Sequence, residues 1–138
     1  MAAKNEKFTI STKGFDDVID ITSKVQNFIS FNKIKDGIVN ICALCSTASI
    51  LTLEYEPGMV LDLAKEMKDL VPINIKYDHD ETWGENNATA HLKASILGNG
   101  ATLNVVNGDI DLGTWQKIVL MDFDLKPSVR QISMNVVY

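Results

Sequence analysis

GIVNICALCSTASILT, residues 37–52, is largely apolar and rich in β-branched side chains, the composition that favours strands. The stretch is too long for one ordinary strand, which has about five or six residues. Its small and polar triplet Ser46-Thr47-Ala48 interrupts the apolar pattern. The sequence therefore predicts two strands, joined by a bend at residues 46–48.

Helical periodicity lies on both sides of this stretch. Apolar residues three and four positions apart predict a helix over residues 16–31. Pro57 is typical of a first helical residue and predicts a second helix that stops at Val71-Pro72. Residues 90–97 show the same periodicity and predict a third helix. Residues 77–87 are acidic and aperiodic, which indicates a loop.

The remaining apolar segments alternate with turn residues and predict further strands. They are residues 6–12, 101–106, 110–112, 116–123 and 131–137. This order lacks the regular strand–helix alternation of a parallel sheet. We therefore expect an α+β fold, a mostly antiparallel, two-layer, β-sandwich-like core with two or three helices on one side. The length of 138 residues is typical of one domain, so we assign residues 1–138 to a single domain.

Charge and hydropathy narrow the function classes. The chain has 18 acidic against 13 basic residues, whereas a nucleic-acid binder needs clustered Lys and Arg. The sequence contains no apolar run of about 18 residues to span a membrane. Residues 1–10 lack the apolar segment of a signal peptide. We expect a cytoplasmic protein that binds neither nucleic acid nor membrane.

The two cysteines, Cys42 and Cys45, have the spacing of a redox pair or of half a zinc site. A structural zinc site needs a second ligand pair, which the sequence lacks. In an extended chain, residues three apart point to opposite faces of the sheet, which argues against a redox pair. We interpret Cys42 as a small core residue and consider Cys45 separately.

The two histidines of the chain lie in the acidic segment and just after it. His79 lies within it and His91 opens the helix that follows, so the segment can fold back and bring the two together. A histidine pair with nearby carboxylates can hold a divalent metal, or bind phosphate when protonated. The alternative is that each histidine is an ordinary solvated side chain.

Other polar residues also occupy positions that suggest a functional role. Glu54 ends a predicted buried strand, where a carboxylate can act as a base or a metal ligand, or can simply meet solvent. Asp62 lies in the second helix, where it can also interact favourably with the helix N-terminus. Gln116 enters an apolar strand, and a buried amide needs hydrogen-bond partners. Trp115 beside it is more typical of a core residue.

Together these residues match the motifs of a known family, in order along the chain. The motifs are Cys45-Ser-Thr-Ala-Ser-Ile50, Glu54, Asp62, Tyr77-Asp-His-Asp80, His91-Leu-Lys-Ala-Ser-Ile-Leu-Gly98 and Leu112-Gly-Thr-Trp-Gln116. From about residue 8 to residue 137, the chain resembles the YjbQ family, which is often described as secondary thiamine-phosphate synthase.

The resemblance implies a homotrimer with a pocket for a small phosphorylated molecule. The implied transferase reaction joins hydroxymethylpyrimidine diphosphate to a thiazole phosphate and releases pyrophosphate. The catalytic candidates are Glu54, Asp62 and His91. The candidate ligand-binding residues are Ser46, Thr47, Trp115, Gln116 and Arg130. The candidate ligands of a divalent metal, magnesium or zinc, are His79, His91 and Cys45.

Cys45 departs from the family pattern, because members usually carry His-Thr-Thr or His-Thr-Ser where this chain has Cys45-Ser46-Thr47. A thiolate suits zinc and is a poor ligand for magnesium. The exchange favours a softer metal, or indicates that the position is not an obligatory ligand, or marks a homologue that has lost the activity. Two alternatives to the transferase stay open. One is a non-catalytic trimer that binds a metal or a phosphorylated ligand, and the other is a metal-dependent hydrolase.

Overall fold

The computed structural model covers residues 1–138 and contains eight strands and four helices. The strands are β1 (Ala3–Thr12), β2 (Asp17–Asp20), β3 (Gly37–Ala43), β4 (Ala48–Glu54), β5 (Gly100–Val106), β6 (Asp109–Ile110), β7 (Gln116–Asp122) and β8 (Ser128–Val137). The helices are α1 (Thr22–Phe31), α2 (Pro57–Leu70), α3 (Asp78–Trp83) and α4 (Ala88–Leu97). None of the helices is long and apolar enough to cross a membrane.

The strands form two sheets in which every neighbouring pair is antiparallel. One sheet has the order β1-β8-β3-β5-β6 and the other the order β2-β7-β4. The predicted pair of strands within residues 37–52 is confirmed, since β3 ends at Ala43 and β4 begins at Ala48. The bend between them carries the chain from the first sheet to the second. The α+β class with antiparallel sheets is therefore confirmed.

Strand β7 explains how the layers are stacked. Its alternate residues Ile118 and Leu120 join the core between the two sheets. Val119 and Met121 point the other way, into a second core that includes residues of α2 and α4. Because successive side chains of a strand alternate between faces, a strand buried on both faces reads as a continuous apolar run. The three-stranded sheet is thus the middle layer, with α2 and α4 outside it.

Helix α4 lies directly over β4. Ala90 and Ala94 face the second core and are almost fully buried, so small side chains let the helix approach the sheet closely. The hydroxyl of Ser49 on β4 donates a hydrogen bond to the carbonyl of Ala94, at 3.4 Å. This contact fixes α4 beside the bend that precedes β4.

Two predicted elements were wrong in detail. The helix predicted over residues 16–31 begins only at Thr22, because residues 17–20 form β2 against β7. The Asp20 carboxylate accepts a hydrogen bond from the Thr22 N–H, at 2.9 Å, and so begins the helix. The predicted loop at residues 77–87 contains α3, which is too short for apolar periodicity to reveal it. There are accordingly four helices, and α1 packs against the core between the sheets.

Candidate functional site

Two cavities follow one face of α4 and together form what we call the α4 groove. The first, of about 340 Å³, is lined by Tyr77, Asp78, His79, Ala88, His91 and Leu92. The second, of about 390 Å³, is lined by Cys45, Ser46, Ala48, Ala94, Ser95, Gly98 and Asn99. Residues three and four positions apart share a face of a helix, so the His91 and Ser95 parts of the groove are one helical turn apart.

The first cavity brings the two histidines together, as the sequence predicted. The rings of His79 and His91 have centroids 4.5 Å apart and meet edge to face. The Nε2 atom of His79 is buried and has no hydrogen-bond partner within the chain. The Oδ1 atom of Asn87, the residue just before α4, is in the same state. A buried polar atom without a partner costs about 1–3 kcal/mol. Of the two, His79 lines the cavity, so its Nε2 is suited to contact a bound polar molecule.

The acidic segment is tied to α4 by one of its own carboxylates. Oδ1 of Asp80 accepts a hydrogen bond from the Ala88 N–H, at 3.0 Å. A carboxylate at the first turn of a helix also interacts favourably with the helix dipole. Gly84, with φ +69°, ends α3 in a left-handed conformation and turns the chain back toward α4. These contacts hold His79 opposite His91.

Arg130 is the centre of a buried polar cluster below the β3–β4 bend. Its Nε and Nη2 atoms donate to the two oxygens of Asp122, at 2.7 and 2.8 Å, and Nη2 also donates to the Thr47 hydroxyl, at 2.7 Å. Asp122 is fully buried and accepts a further hydrogen bond from Thr12, at 2.6 Å. The hydrogen bonds to Asp122 raise the pKa of Arg130 above its ordinary value, so the guanidinium stays charged. We call these residues, with Asp124, the Arg130 cluster.

Asp124 completes this cluster, and its carboxylate lies 3.4 Å from Nη2 of Arg130. Burial alone acts to raise the pKa of Asp124. Hydrogen bonds from Leu125 N–H, Thr47 and Asn87, together with the Arg130 charge, outweigh burial and lower the pKa below 3.8. Asn87 therefore connects the cluster to the residues beside the histidine pair.

The lowered pKa of Asp124 predicts a pH-dependent contribution to stability. A carboxyl group with a lower pKa in the folded state stabilises the fold fully above its unfolded pKa, and this contribution is lost as pH falls through the folded pKa. Between pH 5 and pH 2, Asp124→Asn is therefore expected to lose less unfolding free energy than the wild type. Urea unfolding at each pH measures this difference, and an equal loss in both proteins would contradict it.

The predicted site residues fall into two groups. Cys45, Ser46, His79 and His91 line the α4 groove, while Thr47 and Arg130 belong to the adjoining Arg130 cluster. Glu54 and Gln116 pair with each other at the opposite end of β4 and β7. At about 3.3 Å per residue, that end lies roughly 20 Å from the bend.

The second group is exposed to solvent. Glu54, Asp62 and Gln116 are exposed, and the Gln116 side chain accepts a hydrogen bond from Gly113 N–H, at 2.7 Å. Trp115, which the sequence suggested as a core residue, is 72% exposed. The expectation that Gln116 is a buried amide is therefore wrong, because the first two residues of β7 extend beyond the packed layers.

A metal site requires a closer grouping than one chain provides. No three His, Cys, Asp or Glu side chains converge closely enough to hold a metal ion. Cys45 lines the second cavity, whereas the histidines line the first. The predicted set of His79, His91 and Cys45 therefore does not form a metal site within a single chain.

The sequence reasoning missed several residues of this region: Thr12, Asn87, Ser95, Asp122 and Asp124. One signal could have revealed the last two. The acids in Met121-Asp-Phe-Asp124 continue an apolar strand, where a carboxylate is buried only with a partner. Arg130, the single arginine of the sequence, is that partner.

Fold and groove together define a class of protein: α+β, with two antiparallel sheets and a histidine-lined groove beside the outer helices. The family described as UPF0047 protein YjbQ-like matches residues 6–138. A UPF0047 protein of Methanothermobacter thermautotrophicus is 34% identical over 136 residues, which are 99% of this chain and 93% of the relative. One of Archaeoglobus fulgidus is 35% identical over 126 residues, 91% and 95% of the two chains. The chain belongs to the YjbQ-like UPF0047 family.

Solved structures agree with this assignment. A YbjQ-like protein of unknown function from Sulfolobus solfataricus has a TM-score of 0.88 and 30% sequence identity, with 98% of each chain covered. A hypothetical protein from Aeropyrum pernix has a TM-score of 0.90 and 28% identity, with 97% of this chain and 98% of the other covered. The resemblance that the sequence motifs indicated is confirmed over nearly the whole chain.

Proposed function

We propose that this protein is a cytoplasmic transferase of the thiamine-phosphate type that binds its phosphorylated substrate in the α4 groove. The observation that carries the proposal is the His79–His91 pair, whose rings are 4.5 Å apart and in which the buried Nε2 atom of His79 has no hydrogen-bond partner. Such an atom is costly unless a ligand contacts it. The hydroxyl of Ser46 on the second cavity adds a donor for phosphate oxygens.

The reaction requires stabilisation of a leaving diphosphate. The thiazole nitrogen forms a C–N bond to the pyrimidine methylene as the C–O bond to the diphosphate breaks, and pyrophosphate leaves with the electron pair. Donors that face the developing negative charge lower the barrier. A ring N–H of His79 or His91 provides such a donor, and the Ser46 hydroxyl orients the phosphates. The role of the groove is thus to bind and position the diphosphate.

Self-association would explain the second group of predicted residues. Glu54 and Gln116 lie at the far end of the middle sheet, Asp62 lies on α2, and all three are exposed. In a homotrimer, this end of one copy can face the α4 groove of the next and supply carboxylates to the substrate. A mass of 15.3 kDa in analytical ultracentrifugation, that of a single chain, would contradict this arrangement.

The test uses untagged protein with hydroxymethylpyrimidine diphosphate and thiazole phosphate, with and without added magnesium or zinc. Wild-type protein is expected to form thiamine phosphate, and His91→Ala to lose about 100-fold or more of the rate, as for a lost acid–base group. Lys4→Ala on the exposed strand β1 is the matched control and is expected to keep the rate. No product from folded wild type under any metal condition would overturn the reaction.

A non-catalytic binding protein is the second candidate, and one observation favours it. The positive charge of Arg130 is already engaged by two carboxylates within the chain, so the Arg130 cluster carries a net negative charge. A pyrophosphate-releasing site ordinarily places free cations or a metal on the leaving group. Saturable binding of either substrate without turnover would support this candidate. The hydrolase alternative requires a metal site, which would need ligands from a second copy because a single chain assembles none.

A further inference from the structure

A cavity of about 650 Å³ lies on another face of α4, away from the α4 groove. Its walls include the apolar side chains of Phe15, Pro72, Ile73, Phe123 and Leu125. Thr89 and Lys93, one helical turn apart on α4, supply polar atoms to the same space. An apolar cavity of this size with a few converging polar groups is typical of small-molecule sites. We call it the Lys93 cavity.

Lys93 is the most unusual residue of this cavity. Its side chain is only 6% exposed, and Nζ lies 3.2 Å from Oδ1 of Asp16 and 5.6 Å from the centre of the Phe123 ring. An ammonium group has three N–H donors, and Asp16 takes one of them. Unused donors on a buried charge are costly. The cavity wall therefore presents a cation that can donate further hydrogen bonds.

The charges around Lys93 balance one another. The other Asp16 oxygen lies 3.9 Å from Nζ of Lys68, whose side chain is 64% exposed. Asp69 also lines the cavity and is exposed as well. The two buried charges, Lys93 and Asp16, form one ion pair. A ligand carboxylate would therefore bind through the N–H donors of Lys93 that Asp16 leaves free.

The turn that holds Asp16 is strained. Gly14, Phe15 and Asp16 follow one another with φ of +71°, +54° and +67°. Each non-glycine residue in this left-handed region costs about 1–2 kcal/mol. The Phe15 N–H donates to the carbonyl of Asp124, at 2.7 Å, and holds the turn in place. The strain places the Phe15 ring and the Asp16 carboxylate on one cavity, as is common at ligand clamps.

We propose that the Lys93 cavity binds a compact aromatic monocarboxylate, at a site separate from the α4 groove. The ligand carboxylate accepts hydrogen bonds from Nζ of Lys93, and its ring packs against the apolar wall around Phe15 and Ile73. The free N–H donors of the Lys93 ammonium select the carboxylate, and the aromatic side chains of Phe15 and Phe123 select a flat body. This inference does not depend on the transferase activity.

The probes are 2-naphthoate and 2-naphthamide, which have the same shape and differ in charge. Binding is measured by calorimetry and by amide chemical shifts of the full chain. Naphthoate is expected to bind at one site, at least tenfold more tightly than the amide, because a hydrogen bond to a charged group is lost in the amide. Lys93→Met is expected to remove this preference. Lys65→Met, on the exposed side of α2, is the control and is expected to keep it.

A second variant covers the case in which Lys93→Met fails to fold. Ile73 is 68% exposed at the cavity wall, so Ile73→Asp leaves the core intact and introduces a repelling charge. It is expected to weaken naphthoate binding at least tenfold, whereas His91→Ala is expected to leave it unchanged. Equal affinity for the two probes, chemical shifts confined to the α4 groove, or unaltered binding by Ile73→Asp would overturn the proposal.

Discussion

Arg130→Ala is expected to lower the free energy of unfolding by about 3–5 kcal/mol, the cost of leaving a buried charge without its partner. Asp122 is fully buried, and Arg130 donates to both of its oxygens. In the variant, Asp122 keeps only the hydrogen bonds from Thr12 and from Asp124 N–H. The carboxylate must then lose its charge or admit water. For a chain of this length, the midpoint of thermal unfolding should fall by roughly 10–20 °C.

Urea unfolding of three further variants separates the charge from the packing. Lys126→Ala removes an exposed cation nearby and should change stability by about 0.5 kcal/mol or less. Arg130→Met keeps the volume of the side chain but should still be strongly destabilising. The double variant Asp122→Asn with Arg130→Met removes both charges and should recover part of the loss. If Arg130→Ala behaved like Lys126→Ala, the cluster would have no structural importance.

Local sequence patterns predicted most of the fold because, in most segments, the composition favours the same secondary structure that the fold contains. Residues 37–52 contain two strands with a break, and Pro57 begins a helix, as their compositions indicate. Residues 17–20 were misassigned because the apolar spacing of Val18 and Ile21 suits a helix as well as a short strand. Only pairing with β7, a contact distant in sequence, decides between the two. Periodicity within the segment cannot contain that information.

The candidate site was predictable where its residues share one end of the fold. The proximity of His79 and His91 followed from a short segment that folds back, and their rings do meet. The distance between the groove and Glu54 was not predictable, since it depends on which end of β4 each residue occupies. The Arg130 cluster joins β1, the β3–β4 bend, β7 and β8 across more than 80 sequence positions. Such contacts are set by tertiary packing.

The Arg130 cluster and the α4 groove are connected through residues adjacent in the chain, so the cluster helps to fix the geometry of the groove. Thr47 bonds to Arg130 and directly follows Cys45 and Ser46, which line the groove. Asn87 contributes to the low pKa of Asp124 and directly precedes α4. The Arg130 cluster therefore fixes both sides of the groove. Because Asp122 and Asp124 both pair with Arg130, the charge of Arg130 holds these segments in position.

Gly14→Ala is expected to destabilise the fold by about 2–4 kcal/mol, the sum of a left-handed backbone cost and a steric clash. Gly14 has φ +71°, and a Cβ there would lie 2.7 Å from the carbonyl oxygen of Asp124 and closer still to that of Lys126. Both atoms belong to the backbone after β7, which the Arg130 cluster holds in place. The turn therefore cannot relieve the clash without moving this backbone.

Gly84→Ala is the matched control, because it separates the two contributions. Gly84 has φ +69°, nearly the same backbone conformation, but a Cβ there would meet nothing within 4 Å. Its expected cost is about 1–2 kcal/mol, the left-handed term alone. The difference between the two variants in urea unfolding measures the clash at the turn that carries Phe15 and Asp16. Equal losses would mean that the turn relaxes freely and does not hold Phe15 and Asp16 in a fixed position at the Lys93 cavity.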